Sequence, residues 1–473
     1  REALVVSQPA PGRRGGVVTW LRANLFSSPL NAVLTILALF GIYQFVMAVL
    51  PWLSNGVWNA GSLRQCRDIV AASAGPDATG ACWAMIASRW NQFLFGLYPP
   101  DEYWRPATAA ALLFVALAPI LYFGLRRANA LLCGSATLAL GAALPELGAD
   151  RSVIVPVLGF FALFSVLSWF APKRLVWASV LYPFVACWLL WGGSVWAPVG
   201  TLLGFVLAIF AWRLVEWRYG TSIAAIVAAA AALVWWMLLQ ALFVRIASSL
   251  VPLELAYVRS DVFGGFLLAF LIGIAGIALS LPIGVVLALG RQSRMFLVRT
   301  LCVGFIEFIR GVPLITVLFS ANFLLLYFLP PGTNFDLILR VIIVVVIFSS
   351  AYIAEVVRGG LAAVPAGQYE AADSLGLDYW QAQRLIVMPQ ALKISIPGIV
   401  SSFISLFKDT TLVALVGLMD PLQGVTKVVR ADMAWRGIYW EPYIFVGGVF
   451  FLVCFGMSRY SLYLERKLKT DHR

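Results

Sequence analysis

Long apolar runs alternate with short polar stretches along almost the whole of this chain. Most runs contain about 18 to 25 residues, and a helix of about 20 apolar residues crosses a hydrocarbon core of about 30 Å. The runs are apolar on every side, whereas a helix on the surface of a soluble protein carries a single apolar stripe. The pattern therefore predicts an all-α, polytopic membrane protein.

About twelve spans can be placed on this pattern, with boundaries good to a few residues. The third run is interrupted by Pro145, and the sixth contains Arg213. The predicted spans cover residues 29–52, 106–124, 129–147, 152–171, 175–196, 198–217, 222–247, 261–290, 296–329, 337–360, 394–418 and 441–464.

Arginine and lysine residues cluster in loops that all lie on one side of the membrane if the N-terminus is cytoplasmic. The C-terminus is then cytoplasmic as well, which agrees with an even number of spans. This distribution accounts for the net charge of +12, so we predict contact with membrane lipid and no nucleic-acid partner. The clustered residues are Arg13, Arg14, Arg22, Arg126, Arg127, Lys173, Arg174, Arg213, Arg218, Arg291, Arg294, Arg299, Arg466, Lys467 and Lys469.

Residue types that support catalysis are scarce in this sequence. The chain has one histidine, His472, and six scattered cysteines. Histidine-based metal sites and Ser/His or Cys/His catalysis are therefore excluded within the chain. No lysine follows a glycine, so no P-loop is present to bind a nucleotide phosphate. We predict a protein that binds no cofactor or metal and is not an enzyme.

The composition differs between two parts of the chain. Residues 1–258 are rich in tryptophan, hold about seven predicted spans and form an N-terminal extension, whereas most distinctive polar signals lie in residues 259–473. Residues 53–105 are the one sizeable segment predicted on the external face. They form either a capping loop, which we favour, or a ligand-binding domain. Cys66 and Cys82 share this segment and are candidates for a disulfide bond.

The polar segment 359–393 has the sequence signals of two short helices. We expect Pro365 to open the first helix and Gly376 to close it in the left-handed conformation. Asp378 can cap the second helix, which we predict to stop before Pro389 because a proline disfavours helical backbone just ahead of it. Two helices joined at a glycine would make a compact knob.

The first of these helices presents small apolar side chains. Ala371, Ala372 and Leu375 have helical spacing and are expected to form a flat apolar face that a partner backbone can approach closely. Glu370 can pair with basic groups of that partner. The alternative is an ordinary amphipathic helix on the protein surface.

The spacing of this loop resembles the signature of ABC-importer permeases, which is Glu-Ala-Ala, three residues, Gly, nine residues, Ile, one residue and Leu-Pro. Met388 replaces the leucine here, and the other positions match. The resemblance implies that the loop couples the chain to a separate ATPase, which binds ATP and Mg²⁺. The residues implied in this coupling are Glu370, Ala371, Ala372, Leu375, Gly376, Ile386 and Pro389.

Three further stretches resemble permeases for polar amino acids. They are FIRGVPL at 308–314, YIAEVVRGG at 352–360 and KDTTL at 408–412. The resemblance covers about residues 259–465 and points to the general L-amino-acid (Aap-type) or glutamate/glutamine/aspartate/asparagine (Bzt-type) permeases. It implies a five-helix core of the type I ABC-importer permease at the C-terminus, and the N-terminal half fits the extended permease of those two-permease systems.

The resemblance also implies the setting in which the chain works. A second homologous permease, two ATPase subunits and a periplasmic amino-acid-binding protein are the expected partners, in the bacterial inner membrane. The expected cargo is polar or acidic L-amino acids. The rival hypothesis is an ion-coupled secondary transporter, for which inverted repeats with paired interrupted helices are typical, and the sequence has no such repeat. A membrane-bound enzyme is a second rival with little support.

Ionisable residues inside predicted spans are the remaining candidates for function, because such groups are costly in a membrane. Glu307 and Arg310 share a face near the middle of the ninth span. Pro313 follows them and should break or kink the helix, which frees backbone groups to line a cavity. The further substrate-path candidates are Tyr352 and Glu355 in the tenth span and Lys408, Asp409, Thr410 and Thr411 in the eleventh.

Two interpretations of these charges stay open. Acids, bases and hydroxyls from three spans can bind the ammonium and carboxylate groups of an amino acid. Alternatively, they neutralise one another, or pair with a second permease, and hold a gate together. The sequence does not separate the two for Arg310 and Asp409. For Glu355 and Arg358, one turn apart near the loop, we favour structural pairing or coupling.

Overall fold

A computed structural model describes residues 17–122, 124–328 and 336–468 of the chain. These residues are overwhelmingly helical. The strands within them are β1 (Gly193–Ser194) and β2 (Glu254–Leu255), which pair antiparallel over two residues each. The predicted all-α class is confirmed.

All twelve predicted spans coincide with helices, and two of them depart from a continuous membrane-crossing helix. In the described residues, ten helices are long and apolar enough to span a membrane. The fifth predicted span is a helix of 16 residues, Val176–Trp191, about 24 Å long at 1.5 Å per residue. It ends at Gly192, whose φ of +74° leaves the helical region. The ninth is divided into two helices.

The helices are numbered here in chain order. The N-terminal half contains α1 (Val17–Asn24), α2 (Pro29–Ser54), α3 (Leu63–Ala74), α4 (Ala84–Ser88), α5 (Trp90–Phe95), α6 (Trp104–Leu121), α7 (Arg126–Glu146), α8 (Arg151–Phe170), α9 (Val176–Trp191), α10 (Trp196–Tyr219), α11 (Thr221–Val234) and α12 (Gln240–Leu250). The C-terminal half contains α13 (Gly265–Arg291), α14 (Phe296–Gly311), α15 (Leu314–Phe328), α16 (Leu337–Ala362), α17 (Ala366–Ser374), α18 (Tyr379–Ala382), α19 (Met388–Asp409), α20 (Pro421–Ala431) and α21 (Trp440–Leu468).

The chain divides into two compact units, and the first contains the described residues up to Arg89 together with Val428–Phe445. A disulfide joins Cys66 of α3 to Cys82, with Cα atoms 5.9 Å apart, so the predicted pairing is confirmed. The backbone N–H of Cys82 donates to the carboxylate of Glu441, in the first turn of α21, at 2.8 Å. This hydrogen bond therefore joins the start of α21 to the segment that carries the disulfide, although the two are distant in sequence.

The second unit contains Trp90–Lys427 and the chain from Val446 onward. Its centre is the pairing of α13 with α16, which small residues bring close together. A Cβ atom on Gly284 of α13 would lie 2.6 Å from Ile353 of α16, so any larger residue there would push the helices apart. The α13–α16 pair is the frame on which the candidate site is built.

Helices of the N-terminal extension share an apolar core with this frame. Ala109 of α6 and Leu190 of α9 belong to the same buried cluster as Ile272 of α13 and Val345 of α16. The change in composition near residue 258 therefore does not coincide with a break between two apolar cores. The functional division predicted there stays a prediction.

Candidate functional site

The ninth predicted span breaks where Pro313 was expected to break it. α14 ends at Gly311, α15 begins at Leu314, and their axes are bent by 103°. Val312 between them is extended, at φ −112° and ψ 135°, which is the backbone that a following proline favours. The start of α15 faces the middle of α16 and the C-terminal half of α19.

A cavity of about 500 Å³ lies at this break. Two of its lining residues, Tyr352 of α16 and Asp409 of α19, are among the predicted substrate-path residues. Four serines that the sequence analysis did not single out also line it. The remaining wall is apolar, and the full lining is Pro313, Leu314, Ile315, Phe348, Ser349, Tyr352, Ile353, Ser401, Ser402, Phe403, Ser405, Leu406, Asp409 and Leu412.

The serines give one face of α19 a polar stripe. Ser401, Ser405 and Asp409 follow one another at four-residue intervals, so they lie along one side of the helix. Ser402, one position round the helix, donates its hydroxyl to the carbonyl of Gly398 at 3.0 Å. Four-residue spacing of small hydroxyl residues ending in an acid was the sequence signal for this stripe.

Glu355 of α16 is the centre of a charge cluster. Its carboxylate accepts from Arg358 Nε at 2.7 Å and from Arg291 at 3.1 Å, and Arg310 lies 3.7 Å away. Arg291 also donates to Glu307 at 2.8 Å. The structure thus brings together Glu307, Arg310 and Glu355, three of the predicted substrate-path residues. It adds Arg291, which the sequence analysis used only to assign orientation.

Arg310 connects the charge cluster to the cavity. The guanidinium of Arg310 lies 5.7 Å from the ring centroid of Tyr352, within the range of a cation–π contact. Tyr352 lines the cavity, so Arg310 contacts the wall of the cavity on one side and Glu355 on the other. Three guanidinium groups face two carboxylates here, which leaves this end of the cavity positively charged.

Three of the four residues predicted from the eleventh span do not line the cavity. Thr410 is buried and donates its hydroxyl to the carbonyl of Phe407 at 2.7 Å, and Thr411 donates to Lys408 at 2.9 Å. Lys408 is exposed on another side of the helix. Adjacent helical residues point about 100° apart, so only Asp409 of this run faces the cavity.

The segment 359–393, predicted to be a coupling loop, begins as the sequence predicts. Pro365 is the N-cap of α17, and Gly376 has a φ of +70° just beyond its end. The N–H of Gly376 donates to Asp373 at 3.0 Å, and the N–H of Leu377 donates to Ala372 at 3.2 Å. These two bonds form the glycine-dependent Schellman ending, because they satisfy carbonyls that the helix leaves free.

The second helix of the loop is longer than predicted. Asp378 caps α18 in a capping box with Gln381, which confirms its expected role. The expectation that the helix stops before Pro389 is wrong. It continues through a π-helical turn at Gln383–Val387 into α19, where Pro389 occupies the first turn. The π turn changes the hydrogen-bond spacing to five residues just ahead of Pro389, which has no N–H to donate.

The apolar face of the knob differs from the predicted one. Ala371 and Leu375 are exposed, but Ala372 is fully buried, so including Ala372 in the outer face was wrong. Ala372 is one position from Ala371 and therefore points about 100° away, into the loop itself. Trp380, 68% exposed, adds a large aromatic surface that the sequence analysis did not assign.

The other predicted coupling residues lie at differing depths. Glu370 and Pro389 are exposed, Ile386 is half-buried, and Glu370 forms no ion pair with any residue that the structure describes. A carboxylate without an internal partner, beside Leu375 and Trp380, gives the knob one charged edge and one apolar surface. That combination is typical of a protein-docking site.

Comparison with known proteins connects this chain to transport. Residues 280–470 match the family model described as "Binding-protein-dependent transport system inner membrane component". The chain is 54% identical, over 473 residues and 98% of the relative, to the glutamate/glutamine/aspartate/asparagine transport system permease protein BztC of Rhodobacter capsulatus. It is 35% identical, over 98% of this chain and 96% of the relative, to the inner membrane amino-acid ABC transporter permease protein YhdY of Escherichia coli.

A solved structure matches part of the chain. It is described as the crystal structure of an amino acid ABC transporter with histidines, and is 30% identical. The match covers 42% of this chain and 90% of the solved one, with a TM-score of 0.38.

Proposed function

Because this chain belongs to the permease subunits of amino-acid ABC transporters, we propose that it imports acidic L-amino acids and their amides. The relative from Rhodobacter capsulatus, alignable over the full length, is named for glutamate, glutamine, aspartate and asparagine. The observation that carries the proposal is the cavity, because it combines one carboxylate, four serine hydroxyls and a tyrosine backed by an arginine.

Each group in the cavity has a complementary group on an amino acid. Asp409 accepts hydrogen bonds from the α-ammonium group, since an ionised acceptor and an ionised donor make the strongest such bonds. Ser401 and Ser405 donate to carboxylate oxygens. The positive end formed by Arg310 attracts the carboxylate of the cargo, and the apolar wall packs against the aliphatic part of the cargo.

The size of the cavity suits this cargo. A volume of about 500 Å³ lies within the usual range for small-molecule sites, about 300 to 1,000 Å³. One amino acid and several waters fit in it, so contacts through water can accommodate both acid and amide side chains. This accounts for one permease serving four related amino acids.

The orientation and partners complete the proposal. The loop at residues 359–393 faces the cytoplasm, and both termini lie on that side, as the basic loops indicate. Two ATPase subunits, which carry ATP and Mg²⁺, dock on the two permeases of the complex. This chain provides one permease, a homologous chain provides the other, and a periplasmic binding protein delivers the cargo.

α16 carries motion from the docking loop to the cavity. It ends at Ala362, and α17 of the loop begins at Ala366, so few residues separate the two helices. Tyr352, in the cavity wall, and Glu355, in the charge cluster, lie on the same helix. A displacement of the loop on closure of the ATPases is therefore transmitted to both through a rigid element.

Dependence of uptake on ATP distinguishes an ABC importer from an ion-coupled secondary transporter. The comparisons lend no support to the second. The complete complex, reconstituted in proteoliposomes with the binding protein, should take up labelled glutamate when ATP is supplied and the protonmotive force is collapsed. Uptake that persists without ATP would overturn the proposal.

Asp409→Asn tests the cavity within the same assay. It removes the charge that holds the ammonium group, and we expect the rate of glutamate uptake to fall about tenfold or more. Asp261→Asn is the matched control, because Asp261 is an exposed acid paired with Arg259 outside the cavity. Equal effects of the two substitutions would remove Asp409 from the binding site.

A further inference from the structure

An arginine contact joins α15 and α16, two of the helices that line the cavity. Arg340 of α16 donates from Nη1 to both the backbone carbonyl and the Oδ1 atom of Asn322 of α15, each at 3.1 Å. Both residues are half-buried. Arg340 pairs with no carboxylate among the residues that the structure describes, and its Nε is buried with no hydrogen-bond partner there.

The Arg340–Asn322 contact involves the same two helices as part of the cavity wall, farther along each helix. Asn322 is eight residues from Leu314 along α15, and Arg340 is eight residues from Phe348 along α16. Leu314 and Phe348 both line the cavity. At 1.5 Å per residue, each separation corresponds to about 12 Å along its helix. The contact therefore fastens the two walls to each other beyond the cavity, at the end of α16 opposite the coupling loop.

The chemistry of this contact differs from that of the Glu355 cluster. Arg291, Arg310 and Arg358 each lie beside a carboxylate, whereas Arg340 lies on a neutral amide. A guanidinium binds a carboxylate considerably more strongly than an amide oxygen. Arg340 is thus held by a bond that an anion can displace. An arginine at such a position in a membrane helix is usually retained for function.

We propose that Arg340 and Asn322 form a latch that an acidic cargo releases. This inference rests on the proposed function, which makes the Arg340 end of α16 the external end. The side-chain carboxylate of glutamate or aspartate displaces Asn322 from Arg340 and binds the guanidinium as the cargo enters the cavity, whereas an amide side chain passes with the Arg340–Asn322 contact in place. Arg340 thereby favours acidic amino acids over their amides.

Asn322→Asp tests the latch with a minimal change of shape. It gives Arg340 a permanent carboxylate that an acidic cargo cannot readily displace. In the complete complex with its binding protein, we expect glutamate uptake to fall at least about fivefold relative to the unmodified complex. Glutamine uptake should fall by less than about twofold, since a neutral side chain gains little from displacing Asn322.

Arg340→Gln tests the same latch independently, in case the Asn322→Asp protein does not insert into the membrane. It removes the cation, so the ratio of glutamate to glutamine uptake should fall several-fold. A latch that only fastens the helices, or an arginine that only reaches lipid headgroups, would change both uptakes equally or neither, and either result overturns the inference. An unmodified complex that takes up neither amino acid with ATP would overturn the proposed function itself.

Discussion

A shared carboxylate in the second compact unit contrasts with two acids of the first unit, each of which has one principal partner. In the first unit two acids have partners of their own: Asp432 pairs with Arg89, and Glu441 accepts the N–H of Cys82. In the second unit a single carboxylate, Glu355, is shared by three guanidinium groups at 2.5 to 3.7 Å. These belong to Arg291, Arg310 and Arg358.

The contacts of Asp432 and Glu441 are fixed, whereas the contacts of Glu355 can be exchanged among its arginines. A contact with one partner is either kept or lost, and losing it leaves a partly buried group unpaired. A shared carboxylate can pass from one guanidinium to another while remaining paired throughout. We therefore expect substitutions in the first unit to alter stability with little effect on transport. Substitutions at the shared carboxylate should alter transport with less effect on stability.

Removal of the disulfide should produce the largest effect, and it should be confined to stability. Cys66 and Cys82 are 16 residues apart, and closing a loop of that length stabilises a fold by about 3 kcal/mol. In Cys66→Ser, we expect trypsin to cleave much faster at Arg64 and Arg67 of α3, because α3 unfolds more often. Uptake should stay within about twofold of normal when the complex is assayed before digestion.

Cys187→Ser is the control for this comparison, because Cys187 is an exposed free thiol. It should change neither proteolysis nor uptake. Loss of uptake in Cys66→Ser before any proteolysis would show that the first unit takes part in transport directly, and the separation drawn above would then fail.

Glu355→Gln should have the next largest effect, on transport. It keeps the shape of the side chain but leaves three guanidinium groups with one carboxylate, so they repel one another. We expect ATP-dependent uptake to fall about tenfold. Glu307→Gln removes the second carboxylate of the same cluster, which is 54% exposed and has one partner, and should lower uptake about twofold. Equal effects would mean that sharing a carboxylate has no special role.

The sequence predicted the parts of this site that depend on local bonding. The ending of α17 at Gly376, the cap at Asp378 and the break at Pro313 each follow from backbone rules that act within about five residues. The positions of the spans follow likewise from the length of each apolar run. These features form the same way in many tertiary contexts, so one sequence suffices to find them.

The parts that the sequence missed depend on packing between distant segments. Arg291 joins the cluster because α13 and α16 pack side by side, which brings residues 64 positions apart into contact. Ala372 and Thr410 turn inward because the protein occupies one side of each helix. Spacing along a helix shows which residues share a face, but not which face the fold buries.

Gly376→Ala tests the loop at residues 359–393. Its shape depends on hydrogen bonds between near neighbours in sequence, and its proposed role is in transport. An alanine at a φ of +70° is strained by about 1 kcal/mol, so the knob should shift or loosen. We expect ATPase activity stimulated by the loaded binding protein to fall about fivefold in the complete complex. Gly367→Ala is the matched control, because Gly367 lies within α17 and a Cβ there meets no atom within 4 Å. Normal stimulation in Gly376→Ala would remove the loop from coupling.

The smallest expected effect is a pH dependence in the first unit. The hydrogen bond from Arg89, followed by the N–H of Ala434, lowers the pKa of Asp432 below its usual value. A lowered pKa in the folded state means that the contact stabilises the unit fully above the pKa of the unfolded state, near 3.8. That stability is lost as the pH falls through the still lower folded value. Neutral pH should therefore show the full effect.

Asp432→Asn separates the contribution of the Asp432 carboxylate to stability from the contributions of all other carboxylates. We expect the substitution to lower the temperature at which α3 becomes open to trypsin-like cleavage at pH 7 by a few degrees or less, because an ion pair that stays in contact with solvent contributes about 1 kcal/mol or less. An acid-stable protease used in the same way near pH 3 should find a smaller difference between the two proteins. A difference that grows as the pH falls would reverse the sign derived from Asp432, and the ion pair with Arg89 would not then be a stabilising contact of the first unit.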